Sequence, residues 1–148
     1  MSALITAEWF TGADGLDAVH AIRRAVFVEE QGVPEEDEID GTDAGAIHLL
    51  VSDGGVPVAT GRILTDGGVF TLGRVAVMKD RRKEGYGDFV VRMLIRRAYE
   101  LGGREQHLHS QTHAVGFYEK LGFNVVTDEY LDAGIPHVGM VRSGDVCL

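Results

Sequence analysis

The chain has 148 residues, of which 45% are hydrophobic and 25% are charged, and its formal net charge is −9. This size and composition predict one globular domain over residues 1–148. The acidity argues against nucleic-acid binding, which requires a basic face. No apolar run approaches the roughly 20 residues that span a bilayer, and no signal-peptide pattern is present. With Cys147 as the one cysteine, no disulfide framework can form, so we expect a cytoplasmic protein without membrane partners.

The first third of the chain predicts a strand, a helix and an acidic loop. The stretch "LITAEWF" alternates loosely, which is typical of a strand. Thr11 and Asp14 have the pattern of a capping box for a helix through "LDAVHAIRRAVFVEE". Gly32 and Pro34 are expected to end that helix. The polar stretch "EEDEIDGTDAG" then predicts a loop.

The remainder of the chain predicts a meander of three antiparallel strands, followed by a helix, a strand, a second helix and two further strands. Three apolar runs within residues 46–78 are joined by "SDGG" and "TDGG", which suit tight antiparallel hairpins. The stretch "DFVVRMLIRRAYEL" carries a polar stripe at Arg92, Arg96 and Glu100 and predicts an amphipathic helix. A strand "QHLHSQ", a helix "HAVGFYEKL" and strands "FNVV" and "IPHVGMVR" complete a mixed α/β domain.

A glycine loop between a strand and the long helix predicts a phosphate site. Residues 82–87 have the form Arg-x-x-Gly-x-Gly. The first turn of a helix offers unpaired N–H groups, and glycines allow close approach of an anion. The P-loop and Rossmann patterns do not fit, because Asp88 and Val90 stand where a lysine and a third glycine are needed. Five basic residues surround the loop: Arg74, Lys79, Arg81, Arg82 and Lys83.

Two motifs resemble one known family. The loop is similar to the coenzyme A pyrophosphate loop of the GNAT N-acetyltransferases, and "FYEKLGF" at residues 117–123 resembles their second signature. "RRAVFVEEQGVPEEDEID", "AIHLL", "SQTHAVGFYEKLGF" and "DAGIPHVGM" resemble the ElaA-like, or YjcF-like, branch. The resemblance implies the GNAT α/β fold, with a mixed, mostly antiparallel central sheet flanked by helices. It also implies acetyl-CoA as cofactor and a small-molecule or peptide amine as acceptor.

The resemblance also implies where the cofactor binds. The backbone N–H of Val77 is expected to polarise the acetyl carbonyl, and a free donor in a strand requires a splay or a bulge there. Pyrophosphate is expected on residues 82–87. The implied cofactor-binding residues are Val75, Ala76, Val77, Arg82, Lys83, Glu84, Gly85, Tyr86, Gly87, Gln111, His113 and Phe117.

Tyr118 is the implied general acid, because a phenol is protonated at neutral pH and can give a proton to a thiolate. The general base stays open among Glu38, Asp40, His48, His109 and His113, with Glu38 and His48 as the first candidates. His48 also fits a core histidine, since it stands in an apolar strand. The histidine-rich stretch lacks a His-Glu-x-x-His pattern, and we expect no metal.

An acidic segment separates the first helix from the meander. Residues 29–43 contain eight acidic residues and no basic one. Such a run is either a solvated loop or the rim of an acceptor pocket that attracts a cationic amine. On the second interpretation, the substrate-binding residues are Phe27, Glu38, Asp40 and His109.

Two alternatives to an acetyl-CoA-dependent acetyltransferase remain. "RRAVF" followed by Glu38, Asp40 and Asp43, together with Arg62, resembles the acyl-homoserine-lactone synthases, which use acyl carrier proteins. The other alternative is a non-catalytic module of the same fold that binds CoA or a partner. A homodimer is possible, and Pro136 at the start of the last strand is compatible with a sheet edge.

Overall fold

A computed structural model describes residues 4–144; Cys147 lies outside them. The strands are β1 (Ile5–Thr11), β2 (Ala46–Asp53), β3 (Val56–Asp66), β4 (Val69–Val77), β5 (Glu105–Gln111), β6 (Asn124–Val125), β7 (Tyr130–Asp132) and β8 (Ile135–Ser143). The helices are α1 (Asp17–Arg23), α2 (Glu35–Glu38), α3 (Tyr86–Glu100) and α4 (Val115–Glu119). A π-helical segment, Arg24–Glu30, continues α1.

The predicted capping box is wrong. Thr11 belongs to β1, and α1 has Leu16 at its N-cap without a side-chain hydrogen bond. The acidic segment is also more ordered than a solvated loop, since it contains α2 and a 3₁₀ turn at Asp43–Gly45. The sequence analysis missed β7, a three-residue strand.

The strands form one sheet in the order β1-β2-β3-β4-β5-β8-β6, and β7 also pairs with β8. The predicted meander is confirmed, because β2, β3 and β4 pair antiparallel in sequence. The pair of β4 and β5 is parallel, whereas β5 and β8 are antiparallel. Pro136 is not at a sheet edge, since it pairs with Leu131 of β7.

The sheet opens between its two central strands. β4 pairs with β5 through only three residue pairs, from Phe70↔Gln106 to Leu72↔Leu108, although both strands continue beyond them. β4 also has an extra residue relative to β3 between the pairs Arg62↔Gly73 and Thr60↔Ala76. Arg74 in this bulge has a φ of 49°. The expected splay and bulge are therefore both present.

Helices cover both faces of the sheet. One core joins α3 to the sheet through residues such as Leu49, Ile63 and Leu94. The other joins α1 and the π-helical segment to Leu50 and Ala76. The alternation of Leu49 and Leu50 between the two cores follows from the two-residue period of a strand. These layers fix the splayed strands between α1 on one face and α3 on the other.

Candidate active site

The divergence of β4 and β5 opens a cleft of about 400 Å³. Its walls come from the π-helical segment, the acidic segment, β3, β4, β5, α4 and the β7–β8 hairpin. Charged and polar side chains on its walls are Gln31, Asp37, Glu38, Asp40, Arg62, Thr71, Arg74, His109, Ser110, Gln111, His113, Tyr118, Asp132 and His137. A cleft of this size, lined by convergent polar groups, is the expected form of a small-molecule site.

The free edge of β4 faces the splay. Met78 N–H donates to the Val58 carbonyl of β3 at 2.9 Å. Because successive N–H groups of a strand point to opposite edges, the Val77 N–H points toward β5, beyond the last β4–β5 pair. Val75 of the same strand lines the cleft.

The glycine loop leads directly into α3. Gly85 is the N-cap with a φ of 90°, and Lys83 has a φ of 66°. A Cβ at Gly87 would lie 3.6 Å from Phe117 Cζ and 3.8 Å from Val77 Cγ2. The structure thus brings Val77, Gly87 and Phe117 together, where the splay meets the first turn of α3.

The charges around the loop are less available than the sequence suggests. Arg74 turns away, toward the acidic segment, and its guanidinium lies 3.3 Å from Asp40 Oδ2. Arg81 pairs with Asp53 at 2.9 Å. Arg82 binds both carboxylate oxygens of Glu30, at 2.6 and 2.7 Å, and also donates to the Val77 carbonyl. Arg74, although near the loop in sequence, therefore belongs with the acidic segment in the structure.

Two tyrosines predicted at the site differ in exposure. Tyr86 is 1% exposed and its hydroxyl donates to Asp53 at 3.3 Å, so only its backbone can face a ligand. Tyr118 is half-buried and lines the cleft. Its ring packs against Phe117 and Phe123, with centroids 5.0 and 6.0 Å apart. Burial raises the pKa of Tyr118 to about 12, so its hydroxyl keeps its proton at neutral pH.

The acidic segment is tied to the sheet by buried ion pairs. Arg23, fully buried, binds the Glu38 carboxylate and lies 2.8 Å from Asp43 Oδ1. Arg62 donates to the same Asp43 oxygen at 3.0 Å. Burial alone would raise the pKa of Asp43, but hydrogen bonds from Arg23 and Arg62 and the charge of Arg23 outweigh it and hold that pKa well below its usual range. Glu38 is thus largely engaged by Arg23, although it lines the cleft.

His48 lies beneath this cluster and does not line the cleft. It is fully buried, and its Nε2 lies 3.1 Å from the Asp43 carbonyl. Burial lowers the pKa of His48. Because no acceptor amine could reach its ring, the structure contradicts His48 as a general base and supports the core-histidine interpretation.

The opposite wall of the cleft carries an aromatic row. The His109 Nδ1 is hydrogen-bonded to the Tyr130 hydroxyl, and the Tyr130 ring stacks on His137 with centroids 6.1 Å apart. Gln111 Nε2 donates to Gln31 Oε1 at 2.8 Å, which links β5 to the π-helical segment. His113 is exposed and also lines the cleft.

The acetyltransferase (GNAT) domain family matches residues 19–143. The chain belongs to the GNAT acetyltransferase family. Its relatives include the N-acetyltransferase YjcF of Bacillus subtilis, 41% identical over 122 residues that cover 82% of this chain and 87% of YjcF. The structure of Escherichia coli ElaA has a TM-score of 0.85 at 31% identity, covering 94% and 99% of the two chains. An acyl-CoA N-acyltransferase from Pseudomonas aeruginosa has a TM-score of 0.86 at 31% identity and the same coverage.

These relatives confirm the predicted GNAT fold and the ElaA-like branch, and they identify the chain as a GNAT-type acyl-CoA N-acyltransferase. Within residues 4–144, no helix is long and apolar enough to cross a bilayer. In the same residues, no three His, Cys, Asp or Glu side chains are grouped to hold a metal.

Several cleft residues carry no recognisable signal in the sequence. His137 and Asp132 lie in the stretch "DAGIPHVGM", whose pattern predicts a strand but no catalytic role. Arg62 is 4% exposed within an apolar strand, and a charge in such a strand is a signal for a buried ion pair. Conversely, the side chains of Arg82 and Tyr86 are bound to Glu30 and Asp53. Only some of the side chains predicted to bind the cofactor are therefore brought together at the cleft.

Proposed function

We propose that this GNAT protein transfers an acetyl group from acetyl-CoA to an amine acceptor by direct attack in a ternary complex. The observation that carries the proposal is the free β4 edge at Val77, which lies beside Gly87 at the start of α3 and continues into the cleft. A thioester on this edge would meet the Val77 N–H. A preorganised backbone donor of this kind stabilises the oxyanion that forms during acyl transfer.

The loop residues fit a pyrophosphate. Residues 82–87 lead into a 15-residue helix and include its first two residues, and the first N–H groups of a helix have no intrahelical acceptor. The dipole of that helix favours a negative charge at this end. We propose that the backbone of Arg82–Gly87 and the side chain of Lys83 hold the pyrophosphate. Arg82, bound to Glu30, holds the loop against the π-helical segment.

The acceptor would enter from the acidic end of the cleft. Asp37, Asp40 and Asp132 line the cleft and are exposed. Their charge attracts a cationic amine from solution. Phe27 adds an apolar wall for the carbon skeleton of the acceptor.

We propose Tyr118 as the general acid for the departing thiolate. It lines the same cleft as Val75, and its raised pKa keeps the phenol protonated. When the C–S bond breaks, the phenol can give its proton to sulfur and regain one from the acceptor nitrogen. This role requires the hydroxyl and not the ring.

The test is Tyr118→Phe, assayed by thiol release from acetyl-CoA with a panel of a polyamine, an amino sugar, an aminoglycoside and a lysine peptide. We expect kcat to fall about 100-fold, because general acids contribute roughly 10²–10⁴-fold. The Kd of acetyl-CoA, measured by calorimetry, should stay within about twofold. Tyr99→Phe is the matched control, since Tyr99 contacts Arg104 and does not line the cleft.

An unchanged kcat in Tyr118→Phe would exclude the general-acid role and leave the thiolate to be protonated by solvent. Tight acetyl-CoA binding without turnover of any panel amine would favour the non-catalytic module over the transferase.

A further inference from the structure

The hydrogen bonding of His137 fixes which of its ring nitrogens carries a proton. Nδ1 lies 2.7 Å from the carbonyl oxygen of Ile135. A carbonyl oxygen only accepts, so Nδ1 must be the donor in this bond. In the neutral ring the lone pair is then on Nε2. His109, another histidine of the cleft, is hydrogen-bonded to the Tyr130 hydroxyl, which can donate or accept, so this bond does not fix the tautomer of His109.

His137 is placed where its Nε2 can meet a ligand. It pairs with Gln111 of β5 on one side and with Tyr130 of β7 on the other. The residue is 9% exposed and lines the cleft together with Tyr118. Because Nδ1 is bonded back onto its own strand, Nε2 is the ring nitrogen left to meet a ligand in the cleft.

We propose that His137 is the general base that deprotonates the acceptor amine, with Tyr130 as a positioning residue that holds the imidazole plane by stacking. The proposal rests on the proposed transferase function. The bound ammonium gives one proton to Nε2 and becomes a neutral amine. The amine nitrogen then forms the C–N bond as the C–S bond breaks, and its second proton passes through Tyr118 to the thiolate. The imidazolium finally releases its proton to solvent.

The groups around His137 are compatible with this role. Tyr130 and Asp132 lie on β7, and His109 lies on β5. Burial and the charge of Asp132 raise the pKa of Tyr130, so the stacked phenol stays neutral. Asp132 lines the cleft as well.

The first experiment reads the tautomer directly and needs no acceptor. In protein labelled with ¹⁵N-histidine, long-range ¹H–¹⁵N correlation spectra distinguish the two neutral tautomers, and His137→Gln assigns the signal. We expect His137 in the Nδ1–H form at a pH where it is neutral. An Nε2–H form would overturn the proposal, because no lone pair would then face the cleft.

The second experiment measures kinetics with whichever panel amine the wild type acetylates fastest. We expect His137→Gln to lose about 100-fold in kcat/KM for the amine and to lose the acidic limb of the pH–rate profile. The matched control is His107→Gln, since His107 pairs with Glu105 and does not line the cleft. A retained acidic limb in His137→Gln would overturn the proposal. Acetyl-CoA binding by the wild type, measured separately, tests the transferase function itself.

Discussion

At the scale of single residues, the acidic segment holds its position through buried charge. Asp43 receives hydrogen bonds from Arg23 and Arg62 and is 7% exposed. Buried ion pairs give little net stability relative to an apolar core, but removing one partner leaves the other charge unpaired. Since Glu38 and Asp40 belong to the same segment and line the cleft, this cluster also shapes that end of the cleft, where we propose that the acceptor enters.

We therefore expect Asp43→Asn to lower the free energy of unfolding by about 3–5 kcal/mol at pH 7, measured by urea denaturation. The lowered pKa of Asp43 sets the pH dependence. Its contribution is fully present above the usual carboxyl pKa of 3.8 and is lost as the pH falls below it, so wild type and variant should converge in acid. Asp66→Asn, at an exposed position, should change stability by less than about 0.5 kcal/mol. A gap that stays constant down to pH 2 would contradict this account.

Lys83 is the loop residue whose side chain is best suited to a phosphate. It is exposed, whereas Arg81 and Arg82 are bound to Asp53 and Glu30. We expect Lys83→Ala to weaken acetyl-CoA binding about fivefold, as for an exposed ion pair worth about 1 kcal/mol. The difference should shrink at high salt, which screens exposed charges. Arg81→Ala serves as the control, and a larger effect there than at Lys83 would show that the ion pair with Asp53 opens.

At the scale of elements, the packing of α3 on β3 depends on a missing side chain. A Cβ at Gly61 would lie 2.7 Å from Val90 Cγ1 and 2.8 Å from Leu94 Cδ1. These contacts are too short, so the Val90 and Leu94 side chains or α3 itself must move if a side chain is added. Because the proposed phosphate loop leads into the first turn of α3, a shift of this helix would reach the site as well as the core.

We expect Gly61→Ala to lower the free energy of unfolding by about 1–3 kcal/mol, the usual effect of overpacking. Gly45→Ala is the matched control, since nothing lies within 4 Å of its Cβ position, and it should change stability by less than about 0.5 kcal/mol. Urea denaturation of both variants provides the measurement. Equal stabilities for the two would indicate that α3 adjusts without strain.

Turn residues and hydrophobic periodicity in the sequence correctly predicted the hairpins and the long helix. The glycine pairs at residues 54–55 and 67–68 placed the hairpins of the meander, and the apolar stripe placed α3. The capping box failed because Thr11 is needed to pair β1 with β2, and sheet pairing overrode a weak local pattern. The three-residue strand β7 was not predicted. It forms by pairing with β8, and its own residues show no pattern typical of a strand.

At the scale of the whole molecule, the site is a product of long-range contacts. The resemblance located the loop and Tyr118, but the sequence could not show that β4 and β5 separate after Leu72. Nor could it show that Arg82 binds Glu30, 52 positions earlier, or that His137 of β8 pairs with Gln111 of β5 at the cleft. The single domain, the cytoplasmic location and the homodimer stay predictions.

The central claim is that acetyl-CoA binds along the β4 edge with its pyrophosphate at the start of α3. Its most direct test is calorimetric titration of the wild type and two Gly87 variants with acetyl-CoA, with NADP and ATP as controls. Gly87→Ala should bind like the wild type, because its Cβ would make ordinary contacts with Phe117 and Val77. Gly87→Trp should abolish binding, because an indole would fill the space between those residues. No acetyl-CoA binding by the wild type, or undiminished binding by a folded Gly87→Trp, would contradict the claim.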